Sequence, residues 1–403
     1  MTVVSAPAGS GKTFLLRSWI AEQDVANSAA WVPVGREHRD PQQFWVVVLG
    51  ALRGTLPGSR AVRELTAAPD LDGWLIAERL LEDLSALQDP LWLVVDDLHE
   101  LHSSEALRQF ELFVMRAPAQ LRFVLSTRHD LRLGLHRLRL EGELAEVRFD
   151  DLRFSLAEAA ELFATAGVER PESALAVLHQ RTEGWAAGLR LAALASASHP
   201  DPARFAAEFS GTERTVAEYL LAEVLDRQSE PVRLLLLRTS ILERVNGELA
   251  DLLTGNRDGE RVLQDLEQAG AFVTSLDTSR SWFRYHQMFA DLLQLELRRA
   301  APGELAELHS VAAGWFAGHG WLAGRGLAVE AIRHAQAARD WGLATRLLAD
   351  QWPGLYLDGQ TAVIHELLAG FPAETRADEH DRVSSVLGNG QLNLSERIKP
   401  IAE

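Results

Sequence analysis

Over its first third the chain alternates two hydrophobic patterns. Short, mainly apolar runs at residues 2–5, 29–34, 91–97, 121–126 and 145–149 read as strands. Between them, residues 14–20, 41–52 and 73–87 carry apolar positions at helical spacing. That alternation predicts a parallel α/β sheet over residues 1–150. Residues 91–95 are apolar throughout, as a central parallel strand buried on both faces requires.

From residue 151 the period changes to that of helices. Residues 151–205 read as a helical domain that opens on a capping box, Ser155 as N-cap with Glu158 three positions on. Gly184 and Gly188 fall inside a helical pattern, which predicts close packing there. Residues 198–202 (SHPDP) break the pattern as a linker. Residues 206–300 read as helices over 212–227, 229–242, 247–253 and 259–269, then strands over 271–276 and 282–285. Helices followed by a hairpin is the order of a winged helix. Residues 301–375 are helical. The hairpin of 328–338 and 341–349 resembles the unit from which TPR-like solenoids are built. Residues 376–403 differ in composition and read as a poorly ordered or altered tail.

Charge and composition narrow the chemistry. The 403 residues carry a formal net charge of −17, which disfavours nonspecific binding to nucleic acid or anionic membrane. The helix before the wing carries Glu260, Asp265 and Glu267 against Arg261, so direct DNA binding by this chain is not expected. There is no cysteine, so disulfides and thiolate metal sites are excluded. The longest apolar run, residues 44–52, is far short of the roughly 18 residues a membrane span needs. No signal peptide opens the chain, and a cytoplasmic location is expected.

The candidate chemistry starts at Ala6–Thr13, APAGSGKT, between the first strand and the first helix. This is the setting of a phosphate-binding P-loop, although Ala6 stands where the strict motif has glycine. Gly9, Ser10 and Gly11 let backbone N–H groups surround an anion at a helix N-terminus. Lys12 would reach the β- and γ-phosphates, and the Thr13 hydroxyl would hold Mg²⁺. Lysine occurs only at Lys12 and Lys399. Before residue 399 the chain therefore uses arginine for every cation but the one in the loop, where a compact ammonium suits phosphate.

Two further strand ends point to the same site. Residues 91–97 finish in Asp96 and Asp97, where α/β sheets place their ligands. Asp96 would hold Mg²⁺ and Asp97 would orient or deprotonate an attacking water. Residues 121–126 lead to Arg128, a cation able to sense the γ-phosphate. ATP or ADP with Mg²⁺ is the expected cofactor set.

Together these stretches resemble the MalT-like branch of the STAND signal-transduction ATPases, large ATP-binding LuxR-type regulators. VSAPAGSGKT, LVVDDLHEL, VLSTR, DDLRFSLAEA, RTEGWAAGLRLAAL, LLRTSIL and WFRYHQMFADLL follow the family's order over roughly residues 3–350. The resemblance implies a P-loop NTPase domain, then helical, winged-helix and repeat domains. It also implies a switch with slow hydrolysis, resting with ADP and forming homo-oligomers with ATP and an unknown small-molecule or protein inducer. His286, at the end of the wing, would reach the β-phosphate and lock the resting form. Relative to the family, the segment before the P-loop and the C-terminal LuxR helix-turn-helix are expected to be lacking. Two other classes remain open: a nucleotide-independent interaction scaffold or truncated regulator fragment, and a P-loop phosphotransferase.

Overall fold

The computed structural model describes residues 1–35, 41–63, 73–130, 133–168, 170–197, 199, 201–323, 325–357 and 360–372. The tail at 376–403 and part of the linker at 198–202 lie outside these residues. The chain packs as two compact units. The first comprises Met1–Arg227, Gln264–Thr274 and His286–Phe289; the second comprises Gln228–Leu263, Ser275–Tyr285 and the chain from Ala290.

The first unit is built on five parallel strands: β1 (Thr2–Ser5), β2 (Ala29–Pro33), β3 (Leu91–Asp96), β4 (Leu121–Thr127) and β5 (Ala145–Val147). Their order is β2-β3-β4-β1-β5. β4 therefore lies between the strand that feeds the loop and the strand that carries the two acids. The register sets Ser5 beside Thr127 and Val95 beside Leu125, so the three strands end at one edge.

Strand alternation divides the apolar residues between two layers. Val3, Leu93, Val95, Phe123 and Leu125 face one layer with the helices Pro41–Arg53, Gly73–Leu84 and Ser104–Arg116. Val4, Val94 and Val124 face the other, where Leu16, Trp19 and Ile20 of the helix Lys12–Glu22 cover them. Trp19 meets Trp92 edge-on at 4.9 Å, and the Arg122 guanidinium lies over Trp92. The sheet is thus covered on both faces, as a parallel sheet must be.

The helical stretch after the sheet holds Leu156–Thr165, Glu172–Thr182 and Ala186–Ser196. Ser155 and Glu158 form both bonds of the capping box. The two glycines play different parts from the one their spacing suggested. Glu183 and Gly184 have positive φ (50° and 72°) and end one helix before Trp185 caps the next. Only Gly188 lies within a helix, where a Cβ would stand 2.6 Å from Trp185 Cε3.

In the second unit, β6 (Val245–Asn246) pairs antiparallel with a strand at Trp282–Tyr285. Leu276 N–H donates to Trp282 O across a turn whose Asp277 carboxylate accepts from Ser281 N–H and Ser279 Oγ. Tyr285 and Thr239 share a buried hydroxyl–hydroxyl bond of 2.6 Å. Helices Leu305–Ala323, Arg325–Ala337 and Trp341–Leu357 follow, with Ala313, Ile332, Ala335, Ala344 and Leu348 in their core. The small residues at these contacts let the helices approach closely. No described helix is long and apolar enough to cross a membrane.

Candidate functional site

The loop Ala6–Gly11 folds tightly because Gly9 and Gly11 take left-handed φ (71° and 85°). Gly9 also has no room for a side chain: a Cβ would stand 2.6 Å from Ala187 Cβ and 2.8 Å from Tyr219 Oη. Ser10 Oγ donates to Pro7 O at 3.0 Å, closing the turn from inside. Ala6 is buried and its N–H donates to Thr127 O, extending the β1–β4 ladder into the loop. An alanine is accommodated at that position because Ala6 does not need a positive φ.

Lys12 opens the following helix and is 6% exposed. Its Nζ donates to Ala6 O (2.8 Å) and Pro7 O (3.0 Å). Burial, and next the Arg128 charge, pull its pKa down to about 8. Thr13 Oγ1 donates to Asp96 Oδ2 at 2.8 Å. Asp96 is itself buried, and its Oδ1 has no hydrogen-bond partner among the described residues. A buried carboxylate oxygen left in that state costs free energy unless a cation or its water meets it.

Asp97 leaves the strand in a left-handed conformation (φ 56°) and opens a short 3-10 turn over Leu98–Glu100. Burial, and next the Asp96 charge, raise its pKa above the usual aspartate value. Arg128 follows β4, and its Nη2 pairs with Glu223 Oε2 at 2.8 Å. The structure thus brings Ala6, Gly9, Ser10, Gly11, Lys12, Thr13, Asp96, Asp97 and Arg128 to one edge of the sheet. The backbone N–H groups and two cations suit a polyphosphate, and the Thr13–Asp96 pair suits a hard divalent cation.

His286 reaches this edge through another residue. It is buried, its N–H donates to Phe272 O, and its Nε2 lies 3.0 Å from Thr182 O. Its ring meets Trp185 and Phe272 edge-on at 6.0 and 5.5 Å. Trp185, fully buried, carries the link onward: its Nε1 donates to Ala8 O at 3.0 Å, and Ala187 N–H donates to Gly9 O at 3.0 Å. Two loop carbonyls are therefore held by one helix start.

Three residues stand here that sequence reasoning did not single out. Trp185 is one; its signal was the Gly-Trp pair at a helix boundary. His99 is another, with a side chain 7% exposed and Nδ1 3.9 Å from Asp97 Oδ1 and Nε2 3.7 Å from Glu100 Oε1. Burial, then the Arg128 and Lys12 charges, depress its pKa to about 2, so the ring is neutral. Glu223, the partner of Arg128, is the third.

Comparison with known proteins identifies relatives of the chain. A family model described as the MalT winged helix domain matches residues 221–305. The HTH-type transcriptional regulator MalT of Yersinia enterocolitica serotype O:8 / biotype 1B is 31% identical over 381 residues, 92% of this chain and 41% of the relative. That of Yersinia pestis (strain Pestoides F) is 28% identical over 428 residues, 100% of this chain and 46% of the relative. The chain therefore spans less than half the length of these relatives. Among solved structures, a Walker-type ATPase of Pyrococcus abyssi superposes with a TM-score of 0.52 at 14% identity, covering 73% of this chain and 90% of the other. That likeness concerns the fold alone. Over most of its length the chain is homologous to the MalT transcriptional regulators, and residues 221–305 match their winged-helix domain.

Proposed function

We propose that this chain is the nucleotide-binding switch of a MalT-type transcriptional regulator, resting with ADP and activated with ATP. The observation that carries the reading is the convergence of Lys12, Thr13, Asp96, Asp97 and Arg128 on one sheet edge. Each of these residue types is the one phosphoryl chemistry needs at that place. Bound ATP with Mg²⁺ supplies the transferable γ-phosphoryl group. Lys12 exchanges its loop carbonyls for phosphate oxygens, and Thr13 with Asp96 holds the cation. Asp97, with its raised pKa, accepts a proton from the attacking water, and the neutral His99 ring packs beside that carboxylate. Arg128 faces the terminal phosphate.

Hydrolysis is slow in this reading and returns the switch to its resting form. His286 with Trp185 holds the loop in the ADP form. An inducer, small molecule or protein, favours the ATP form, and copies of the chain then assemble. Moving such a switch from 1:99 to 99:1 takes about 5.5 kcal/mol of differential affinity. The winged-helix stretch does not bind DNA in this reading, since the helix before the wing carries Glu260, Asp265 and Glu267.

The test is a calorimetric titration of ATP and ADP into the wild-type chain and Lys12→Ala. The wild type binds both, and the variant loses affinity for each by about a hundredfold, as expected for two charge-assisted phosphate contacts. Absence of heat and of thermal shift in the wild type would leave an interaction scaffold as the better reading.

A further inference from the structure

We propose that Glu223 sets the preference of this site for ADP over ATP by holding the cation that a γ-phosphate needs. The inference rests on the reading above, in which Arg128 faces the terminal phosphate.

The helix Arg214–Glu223 approaches the site with two residues one turn apart. Tyr219 sets its hydroxyl against Gly9 of the loop, and its ring packs 5.6 Å from Trp185. Glu223 reaches past it to Arg128, with Oε2 at 2.8 Å from Nη2. The same oxygen accepts from Arg227 Nη2 at 3.0 Å, and Arg227 Nη1 holds Glu100 Oε1 at 3.1 Å, just after Asp97. Glu223 is thus the centre of a four-residue chain that starts at the strand end of β4 and finishes beside the end of β3.

Arg128 stands beside the loop: it directly follows Thr127, the last residue of β4, whose carbonyl accepts from Ala6 N–H. A carboxylate on the Arg128 guanidinium neutralises part of its charge before any ligand arrives. The penalty falls on the ligand that uses Arg128. A diphosphate seated on the loop and Lys12 does not require it, whereas a triphosphate must share Arg128 with Glu223 or displace it. Both side chains are only partly buried, at 21% and 29% exposure, so the exchange needs no unfolding of the core. A ligand shifts such an equilibrium only through differential affinity, and Glu223 supplies a term that ADP does not feel.

The experiment measures ATP and ADP affinities by calorimetry for wild type, Glu223→Gln and Glu223→Asp. Glu218→Gln, an exposed position paired along its own helix with Arg214, serves as the control. The ratio of ATP to ADP affinity rises about tenfold in Glu223→Gln, with ADP affinity within about twofold of wild type. Glu223→Asp, which keeps the helix charge but withdraws the carboxylate, shifts the ratio the same way and serves if Glu223→Gln fails to fold. In an Arg128→Gln background the Glu223→Gln change has no effect on the ratio. An unchanged ratio, an equal change for both nucleotides, or a selective loss of ATP affinity would overturn the inference. A wild-type chain that binds neither nucleotide would instead overturn the reading of the site, and this inference with it.

Discussion

Thr13 Oγ1 donates to Asp96 Oδ2 at 2.8 Å, tying the first residues of a helix to the last residue of a strand 83 positions away. The bond satisfies one oxygen of a buried carboxylate and leaves the other without a hydrogen-bond partner among the described residues. Asp96→Asn should therefore act in opposite directions on fold and function. Without nucleotide the variant melts higher, because a neutral amide costs less to bury than a carboxylate. With ATP it loses the Mg²⁺-dependent part of its affinity, so that adding EDTA weakens wild type and leaves the variant unchanged. Calorimetry with and without Mg²⁺, beside a thermal melt, reads both.

Lys12 gives the site a pH limit. Its pKa in the ligand-free protein is about 8, below the 10.5 of a free lysine, so the ammonium is lost as pH rises through 8. Phosphate binds the charged form, and above that pH binding must take up a proton. ATP affinity should be flat below about pH 7.5 and then fall, by up to tenfold per pH unit. The check is a titration series from pH 6.5 to 9.5 in two buffers of different ionisation heat. A profile flat to pH 9.5 would show that Lys12 does not meet the phosphate.

His99 stays neutral through the working range, since its pKa is about 2. It therefore contributes bulk rather than charge beside Asp97, its Nδ1 3.9 Å from Oδ1 and neither ring nitrogen hydrogen-bonded among the described residues. His99→Ala should bind ATP as wild type does and release phosphate about tenfold more slowly, equivalent to about 1.4 kcal/mol for a less confined Asp97. Single-turnover phosphate release separates that outcome from a general loss of fold, which would lower binding as well.

Trp185→Phe keeps the ring and deletes the Nε1 bond to Ala8 O. A neutral hydrogen bond of about 1 kcal/mol is lost, so both ATP and ADP should bind roughly fivefold less tightly. Equal weakening is the signature here, measured in the same titrations as the Glu223 variants. Unequal weakening would mean that Trp185 senses the nucleotide rather than supporting the loop.

His286→Ala removes the ring that packs on Trp185 and the bond to Thr182 O. The reading of a resting-state latch expects ADP to leave about tenfold faster, as followed by displacement of a fluorescent ADP, while ATP release is little changed. Equal acceleration of both would reduce His286 to a packing residue.

How legible all this was depends on the range of the interaction. Strands such as Leu91–Asp96 and Leu121–Thr127 show themselves by apolar runs, and Ser155 with Glu158 shows its capping box, because the signals are local. The short helix Leu56–Ala61 did not, since its Pro57-Gly58 pair breaks the apolar spacing of a helix, although proline is well placed in a first helical turn. The order β2-β3-β4-β1-β5 is not written in any one segment. Trp185 on Ala8 spans 177 positions and Glu223 on Arg128 spans a whole helical domain. A lone histidine such as His99 looks like any other until its burial beside Asp97 is seen. The loop and its acids were readable; the residues that hold them in place were not.

The first unit is discontinuous: Gln264–Thr274 and His286–Phe289 complete it from beyond Arg227. During synthesis the sheet emerges early, yet the chain must extend past Phe289 before His286 can meet Trp185. Until then the loop lacks part of its backing, and the unit waits on contacts of long sequence separation, which form slowly. A nascent chain of this protein can thus display its phosphate loop before it is able to close it. Folding order itself delays the first locked state until the wing has been made.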